Sequence, residues 1–297
     1  MTPQTRTFSV VIATYNRPAR LTACLAALAV QDFPRARFEV VVVDDGGDGD
    51  LAGLVARFAE SLDIRLLRKD NGGPASARNL GVEHANGHYI AFTDDDCEPD
   101  PGWLAGLESR FGDHPEAMIG GKTLNRLQDR LFSEASQVVI DLAYQHYHAE
   151  PDRARLLATN NMALPRQQFL ELGGFDLSFF AGASEDRELC ERWLEHGLQI
   201  IHDPELTVYH SHEQGPLSFF QLHFRYGRGA WCFRRLQGRK GQRAFRRDAS
   251  WQLGLGTWLF YPFRAGCKKP VRMMLALVYW QVANLSGFLY EAVFGDP

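Results

Sequence analysis

The chain has 297 residues, 45% of them hydrophobic and 23% charged, with a net charge of −4. That length suits one large α/β domain or one domain with an appendage, and the composition excludes a disordered chain. Overall acidity excludes a general attraction to nucleic acid. It also hides an asymmetry, because residues 225–247 hold nine Lys/Arg and no acid, which leaves −13 on the remainder. A basic block on an acidic protein asks for a local explanation.

In chain order, Phe8 to Ala13 is a short β-branched run, Ala19 to Val30 a helix after the turn at Arg17–Pro18, and Phe38 to Val43 a stronger strand. Ile64 to Leu67 is a third strand, Ala75 to Ala85 a helix following Gly72–Gly73–Pro74, and Tyr89 to Thr93 a fourth strand. Strand and helix alternate with short connections, which predicts a parallel sheet covered by helices on both faces. The strands end in Thr14–Tyr15–Asn16, Asp44–Asp45 and Asp94–Asp95–Asp96. Ligands of such sheets sit beyond the carboxyl ends of the strands, so these polar ends converge on one candidate site. A helix start is expected at Pro101–Gly102–Trp103–Leu104, a long helix over Leu131 to Tyr147 and an extended stretch from Asn160–Asn161–Met162. Further helices are predicted over Arg166 to Leu172, ended by Gly173–Gly174, over Asp186 to His196, closed by Gly197, and over Pro216 to Leu236.

Three consecutive aspartates after an apolar strand repel one another and are best tolerated where a cation or solvent compensates them. Hard divalent cations take carboxylate oxygens and share phosphate oxygens readily, and a diphosphate leaving group needs that neutralisation as its bond breaks. A solvated acidic turn is the plain alternative. The wider pattern resembles the family-2 glycosyltransferases. The resemblance is carried by Ser9-Val-Val-Ile-Ala-Thr-Tyr-Asn-Arg-Pro18, Val41-Val-Val-Asp-Asp-Gly-Gly47, Asn71-Gly-Gly-Pro-Ala-Ser-Ala-Arg-Asn-Leu-Gly81 and Phe92-Thr-Asp-Asp-Asp96, then by Gly173-Gly-Phe-Asp176 and Glu185-Asp-Arg-Glu-Leu189. These motifs run in the family's order over about residues 8 to 215. The resemblance implies a GT-A fold, a mostly parallel sheet flanked by helices. It also implies a nucleotide-diphosphate sugar donor, Mn²⁺ or Mg²⁺, an acceptor hydroxyl and inversion at the anomeric carbon. UDP is the donor nucleotide most common in the family, with GDP and dTDP as alternatives.

Carried over residue by residue, Asp45 resembles the aspartate that reads the nucleotide base, with Asp44 beside it, and Ala13, Thr14 and Tyr15 line base and ribose. Arg78 resembles the basic residue that approaches the donor. Asp94 and Asp96 resemble the outer aspartates of the D-x-D motif around Asp95, with Asp96 the first metal ligand and Asp94 nearer the ribose or sugar. Asp186 resembles the catalytic base, with Glu185 holding the acceptor, and His210 resembles a downstream histidine that completes the metal site. Plainer readings stand beside these. Asp44 and Asp45 suit a turn before Gly46–Gly47, Arg78 suits a helix surface, and Ser184 or Asp186 suits a helix N-cap, a position compatible with catalysis. His210 is a residue type that is usually structural. The Q-x-x-R-W motif of processive members is absent, which favours single-sugar addition.

The expected catalytic domain is 1–215, followed by a basic and apolar helical appendage over 216–297. There, Trp251 to Phe263 and Met273 to Phe294 are apolar, but Gln281, Asn284 and Glu291 interrupt the second within an arc of about 80°. A spanning helix wants about 20 predominantly apolar residues, so an amphipathic helix in the interface fits better. The basic block with Tyr226, Trp231 and Phe233 would attract anionic headgroups. Helical packing on the domain or against a second copy, as an oligomer, is the alternative. The polar start, Met1 to Arg6, lacks a signal-peptide pattern. The five cysteines, Cys24, Cys97, Cys190, Cys232 and Cys267, form no C-x-x-C pair. Both suit a cytoplasmic protein on the inner membrane face. A nucleotidyltransferase would need a glycine-rich, Lys/Arg-bearing first loop where Ala13–Thr14–Tyr15–Asn16–Arg17 stands, and a dehydrogenase G-x-G-x-x-G. A catalytically silent sugar-nucleotide-binding or membrane scaffold protein is the non-enzyme rival, and the intact D-x-D and base argue against it.

Overall fold

A computed structural model describes residues 6–148, 154–179, 183–240 and 258–295. The basic residues Arg243, Arg246 and Arg247 and the apolar start at Trp251 lie outside the described residues. The chain forms two compact units. The first comprises residues 1–126, 148–177 and 185–211, and the second residues 127–147, 178–184 and 212–297.

The first unit is built on one eight-stranded sheet. Its strands are β1 (Phe8–Thr14), β2 (Phe38–Asp44), β3 (Ile64–Arg68), β4 (Tyr89–Phe92), β5 (Cys97–Pro99), β6 (Met118–Asn125), β7 (Met162–Pro165) and β8 (Ile200–His210), in the spatial order β3-β2-β1-β4-β7-β6-β8-β5. The β1/β2, β2/β3, β1/β4 and β6/β8 pairs are parallel, and β4/β7, β6/β7 and β5/β8 are antiparallel. The sheet is thus mostly parallel, as the alternating pattern predicts, with reversals at β7 and β5. β2 is buried along its whole length and β1 nearly so, as unbroken β-branched runs require of strands covered on both faces. The helices of this unit are α1 (Pro18–Ala29), α2 (Leu51–Ala56), α3 (Pro74–Glu83), α4 (Trp103–Asp113), α6 (Arg166–Glu171) and α7 (Glu185–Glu195). One core, with Phe8, Val10, Leu25, Val40, Trp103 and Leu107, lies on one face of the sheet. Another, with Val11, Val41, Phe92, Phe169, Phe175 and Trp193, lies on the other, as period-two alternation along β1 and β2 dictates.

Among the described residues, the second unit contains α5 (Leu131–Tyr147), α8 (Pro216–Lys240), α9 (Tyr261–Arg264) and α10 (Pro270–Phe294) around a core that includes Val138, Leu142, Phe219, Trp258, Leu277 and Trp280. α8 and α10 approach closely. A Cβ on Gly227 would lie 2.0 Å from the Asn284 carbonyl oxygen, and one on Gly287 1.9 Å from that of Phe224. Only glycine lets the two backbones meet at that distance. By length and composition α10 could cross a membrane, which for a single helix is weak evidence.

Candidate active site

β1, β2 and β4 run parallel and in register, so Thr14, Asp44 and the segment after Phe92 emerge at one sheet edge. Asp45 follows β2, and its backbone N–H bonds the Thr14 carbonyl at 2.9 Å. Its Oδ1 accepts from Lys69 Nζ at 2.8 Å and the Gly72 N–H at 3.0 Å, and its Oδ2 from the Gly73 N–H at 2.8 Å. Asp45 therefore shapes the loop that leads into α3. Asp44 Oδ1 accepts the Gly47 N–H at 2.8 Å, and its Oδ2 lies 3.4 Å from Arg68 Nε. That is the turn-forming use of Asp44. Ala13 is half-buried and Thr14 buried, while Tyr15 presents a ring 49% exposed. Asn16 follows with φ of 54° and accepts the Asp48 N–H on its side chain, tying the β1 loop to the β2 loop.

The three aspartates have different partners. Asp94 accepts from Arg78 Nη2 at 2.7 Å. Asp95, buried, accepts from Thr14 Oγ1 at 2.8 Å and Arg17 Nη1 at 3.2 Å. Burial, offset by Arg17 and reinforced by Asp96, pushes its pKa up to about 6. Asp96 accepts from Arg20 Nη1 at 2.9 Å through Oδ2, and its Oδ1 lies 3.1 Å from His210 Nε2. Arg17 and Arg20 escaped the sequence reading. Their signal was their place at the N-terminal end of α1, one step from Thr14–Tyr15–Asn16.

Strand pairing explains how His210 arrives, 114 residues downstream of Asp96. The antiparallel β5/β8 ladder sets Cys97 opposite His210, and the Ser211 N–H bonds the Asp96 carbonyl at 2.9 Å. Burial works against a charge on His210, but the bond to Asp96 prevails and raises its pKa. Asp96, Cys97 and His210 bring potential ligand atoms within 4.8 Å of one another. Burial holds the Cys97 thiol far above its ordinary pKa, so the useful donors are carboxylate oxygen and imidazole nitrogen. That set suits Mn²⁺ and, less well, Mg²⁺.

Arg78 joins the aspartates to α7. Its guanidinium is buried, bonding Asp94 through Nη2 and Glu185 Oε1 through Nη1 at 3.1 Å, with the Phe175 ring 5.9 Å away. Burial opposes its charge, yet Asp94 and Glu185 outweigh that and raise its pKa. It is no surface residue of the helix. Glu185 and Asp186 open α7, and Ser184 before them has φ of 76°, a left-handed backbone that serine adopts at a cost. Asp186 Oδ1 accepts the N–H of Arg187 at 2.7 Å. Desolvation, with Glu185 beside it, pushes the Asp186 carboxyl up to about 7. The site thus gathers five carboxylates (94, 95, 96, 185 and 186) against the guanidinium groups of Arg17, Arg20 and Arg78. Carboxylates outnumber the guanidinium groups here, and the mutual repulsion that helps to raise the Asp95 pKa is what a divalent cation would relieve.

The sequence matches the model of glycosyl transferase family 2 over residues 9–171, more than half the chain. The chain belongs to that family. Among curated relatives, the poly(ribitol-phosphate) β-N-acetylglucosaminyltransferase TarS of Staphylococcus aureus is 38% identical over 91 residues, 30% of this chain and 16% of TarS. The pre-mycofactocin glycosyltransferase of Mycobacterium tuberculosis is 27% identical over 220 residues, 71% of this chain and 44% of that protein. The aligned stretches of these relatives therefore span less than half of their lengths. The mannosyltransferase PcManGT of Pyrobaculum calidifontis, solved with GDP-Man and Mn²⁺, superposes with a TM-score of 0.72 at 19% identity, covering 99% of this chain and 89% of that one. At that identity the likeness carries the fold, and the fold of this family-2 chain is GT-A.

Proposed function

We propose that the protein transfers a sugar from a nucleotide-diphosphate donor to an acceptor hydroxyl, with inversion, one sugar per encounter and with the help of Mn²⁺ or Mg²⁺. The observation that carries this reading is the Arg78 bridge, which ties the aspartate cluster to the carboxylate pair of α7. In that arrangement the donor lies over the sheet edge, its nucleotide along Ala13, Thr14 and the exposed ring of Tyr15. Asp45 contributes by holding the glycine loop at 72–73 in place beneath it.

Asp96 and His210 would hold the cation, with Asp94 close by, and the cation would neutralise the diphosphate as it leaves. Asp186 takes the proton of the acceptor hydroxyl as that oxygen bonds the anomeric carbon and the carbon–phosphate-oxygen bond breaks. A carboxyl raised to about 7 is matched to this task, because it is basic enough to accept the proton and still ionises near neutral pH. Glu185 stays paired with Arg78 and orients the pair. UDP is the preferred nucleotide on two supports. TarS has been solved with UDP-GlcNAc, at TM-score 0.59 and 18% identity, and GalNAc-T7 with UDP and Mn²⁺. PcManGT with GDP-Man keeps GDP as the next candidate. We place the enzyme on the inner face of the cytoplasmic membrane, acting on a sugar, glycolipid or other hydroxyl acceptor.

A thermal-shift screen of nucleoside diphosphates and nucleotide sugars, with Mn²⁺, with Mg²⁺ and with EDTA, tests the reading. A ligand bound at a hundred times its Kd stabilises the native state by about 2.7 kcal/mol. A UDP-sugar that raises the melting temperature with Mn²⁺ and not with EDTA is expected. Equal shifts with and without metal would remove the cation from the account.

A further inference from the structure

We infer that the outward face of α10 docks on an anionic lipid bilayer, with the helix lying in the interface and not crossing it. The inference deepens the peripheral-membrane part of the reading above. α10 has two faces. Met273, Ala276, Leu277, Trp280, Ala283 and Gly287 are buried. Opposite them, Val271, Leu275, Val278, Val282, Leu285 and Leu289 form a stripe, each 39–59% exposed. At 100° per residue the stripe is confined to an arc of about 80°, and Val293, 70% exposed, continues it. A helix facing water would carry polar residues along that arc. Here Glu291 turns inward, Gln281, Asn284 and Ser286 are half-buried outside the stripe, and Arg272 is exposed outside it. Glu291 bonds Arg228 Nε of α8 at 2.6 Å, and the backbone of Asn284 meets Gly227. The helix is apolar on both sides, and its exposed side is a continuous apolar surface of the kind that marks an interaction site.

Charge selects the occupant. Residues 258–295 hold four cations, Arg264, Lys268, Lys269 and Arg272, all exposed, and a single acid, Glu291. Glu134 on α5 feels Lys268 and Lys269 and offsets part of that charge. Phe260 and Phe263, 52% and 49% exposed, lie in the same stretch of sequence as the cations. Aromatic and aliphatic side chains with a basic margin suit a headgroup layer of anionic lipid. A second copy docked α10 against α10 would bring the same cations and, from the helix itself, only the carboxylate of Glu291, which is already engaged by Arg228. Spanning is disfavoured by α8. It packs on α10 through Gly227 and Gly287 and carries Arg225, Arg228, Arg234 and Arg235, so a spanning pair would take those charges into hydrocarbon.

Flotation of the full-length protein with vesicles of phosphatidylcholine, with or without phosphatidylglycerol, tests this. Binding to the anionic vesicles at low salt is expected, with little to phosphatidylcholine alone. K268Q/K269Q is expected to lower partitioning about thirty-fold, at about five-fold per cation. L275E/L285E is expected to lose flotation at every salt concentration while keeping its far-ultraviolet melting curve. Should the glutamates unfold the protein, L275S/L285S serves, with a partial loss expected. Failure of the wild type to float with anionic vesicles at low salt overturns the inference, as does retention of the protein in the bilayer after alkaline carbonate extraction. A wild type that ignores vesicles but changes from dimer to monomer in L275E/L285E would assign the face to a second copy. Donor cleavage is assayed without lipid in the same preparations. Vesicle binding without donor cleavage would leave the docking intact and sink the transferase reading, and cleavage without binding would do the reverse.

Discussion

Glu185 and Asp186 are neighbours in sequence with the same chemistry, and their surroundings differ. Glu185 is buried against Arg78, whereas the Asp186 carboxyl is held up at about 7 by desolvation and by Glu185 itself. As the proposed base, Asp186 must be deprotonated to act, so kcat is expected to rise with pH and level off above about 7. Asp186→Asn should lower kcat on the order of 10²–10⁴-fold with donor affinity unchanged, since an amide cannot accept the proton. Steady-state rates and donor titrations across pH check both expectations. The same shift has a stability consequence. A carboxyl whose folded pKa lies above its unfolded value binds protons more tightly when folded, so its contribution to stability declines as pH rises from about 4 to about 7. Asp186→Asn should therefore melt higher than wild type at pH above 7 and lose that part of the pH dependence; identical melting profiles would contradict the assignment. Arg78 is the other residue on which the site turns. Arg78→Met leaves Glu185 buried without its cation and is expected to cost about 3 kcal/mol in urea denaturation. Asp186, Arg78 and the aspartate run could be named as candidates because they lie within sequence motifs. Arg17 and Arg20 were not, because an arginine at a helix start announces a partner only once β4 and β1 are known to be neighbours.

At the scale of elements, the proposed metal site depends on a strand pairing. β5 has three residues, and its ladder with β8 is what sets His210 beside Asp96. Imidazole suits Mn²⁺ better than Mg²⁺, so His210→Ala should weaken Mn²⁺-dependent donor binding more than Mg²⁺-dependent binding. Calorimetric titration of the donor with each metal measures the difference, and equal losses with both would leave His210 a structural neighbour of Asp96. The N-terminal strands were readable because unbroken β-branched runs end in polar clusters. β6 and β8 were not. Gly120–Gly121 in β6 looks like a turn, and His202, Asp203 and Pro204 interrupt β8. The pair accommodates both interruptions at one irregularity between Gly121 and Lys122, where a Cβ on Gly121 would lie 1.9 Å from the Leu206 carbonyl oxygen. The β7 reversal was likewise hidden, since a four-residue strand carries no sign of its direction. In α10 the apolar period was legible but the polar arc was misleading. Glu291 and the backbone of Asn284 face α8, so the water-facing side expected of an amphipathic helix is apolar.

For the whole molecule, the family match over residues 9–171 takes in most of the first unit and α5 of the second, and all the proposed catalytic and metal-binding residues belong to the first unit. The second unit gathers α5 with the C-terminal helices, an association between sequence-distant segments that no local pattern foretells. The central claim is that the carboxylate cluster of the first unit, with a divalent cation, activates a nucleotide sugar toward a hydroxyl that Asp186 deprotonates. The most direct test is release of nucleoside diphosphate from a panel of UDP- and GDP-sugars by wild type, Asp96→Ala and Asp186→Asn, each with Mn²⁺ and with EDTA. The account predicts release by wild type with Mn²⁺ alone, none by Asp96→Ala under either condition, and donor binding without release by Asp186→Asn. Undiminished release in EDTA, or by Asp186→Asn with Mn²⁺, would contradict it.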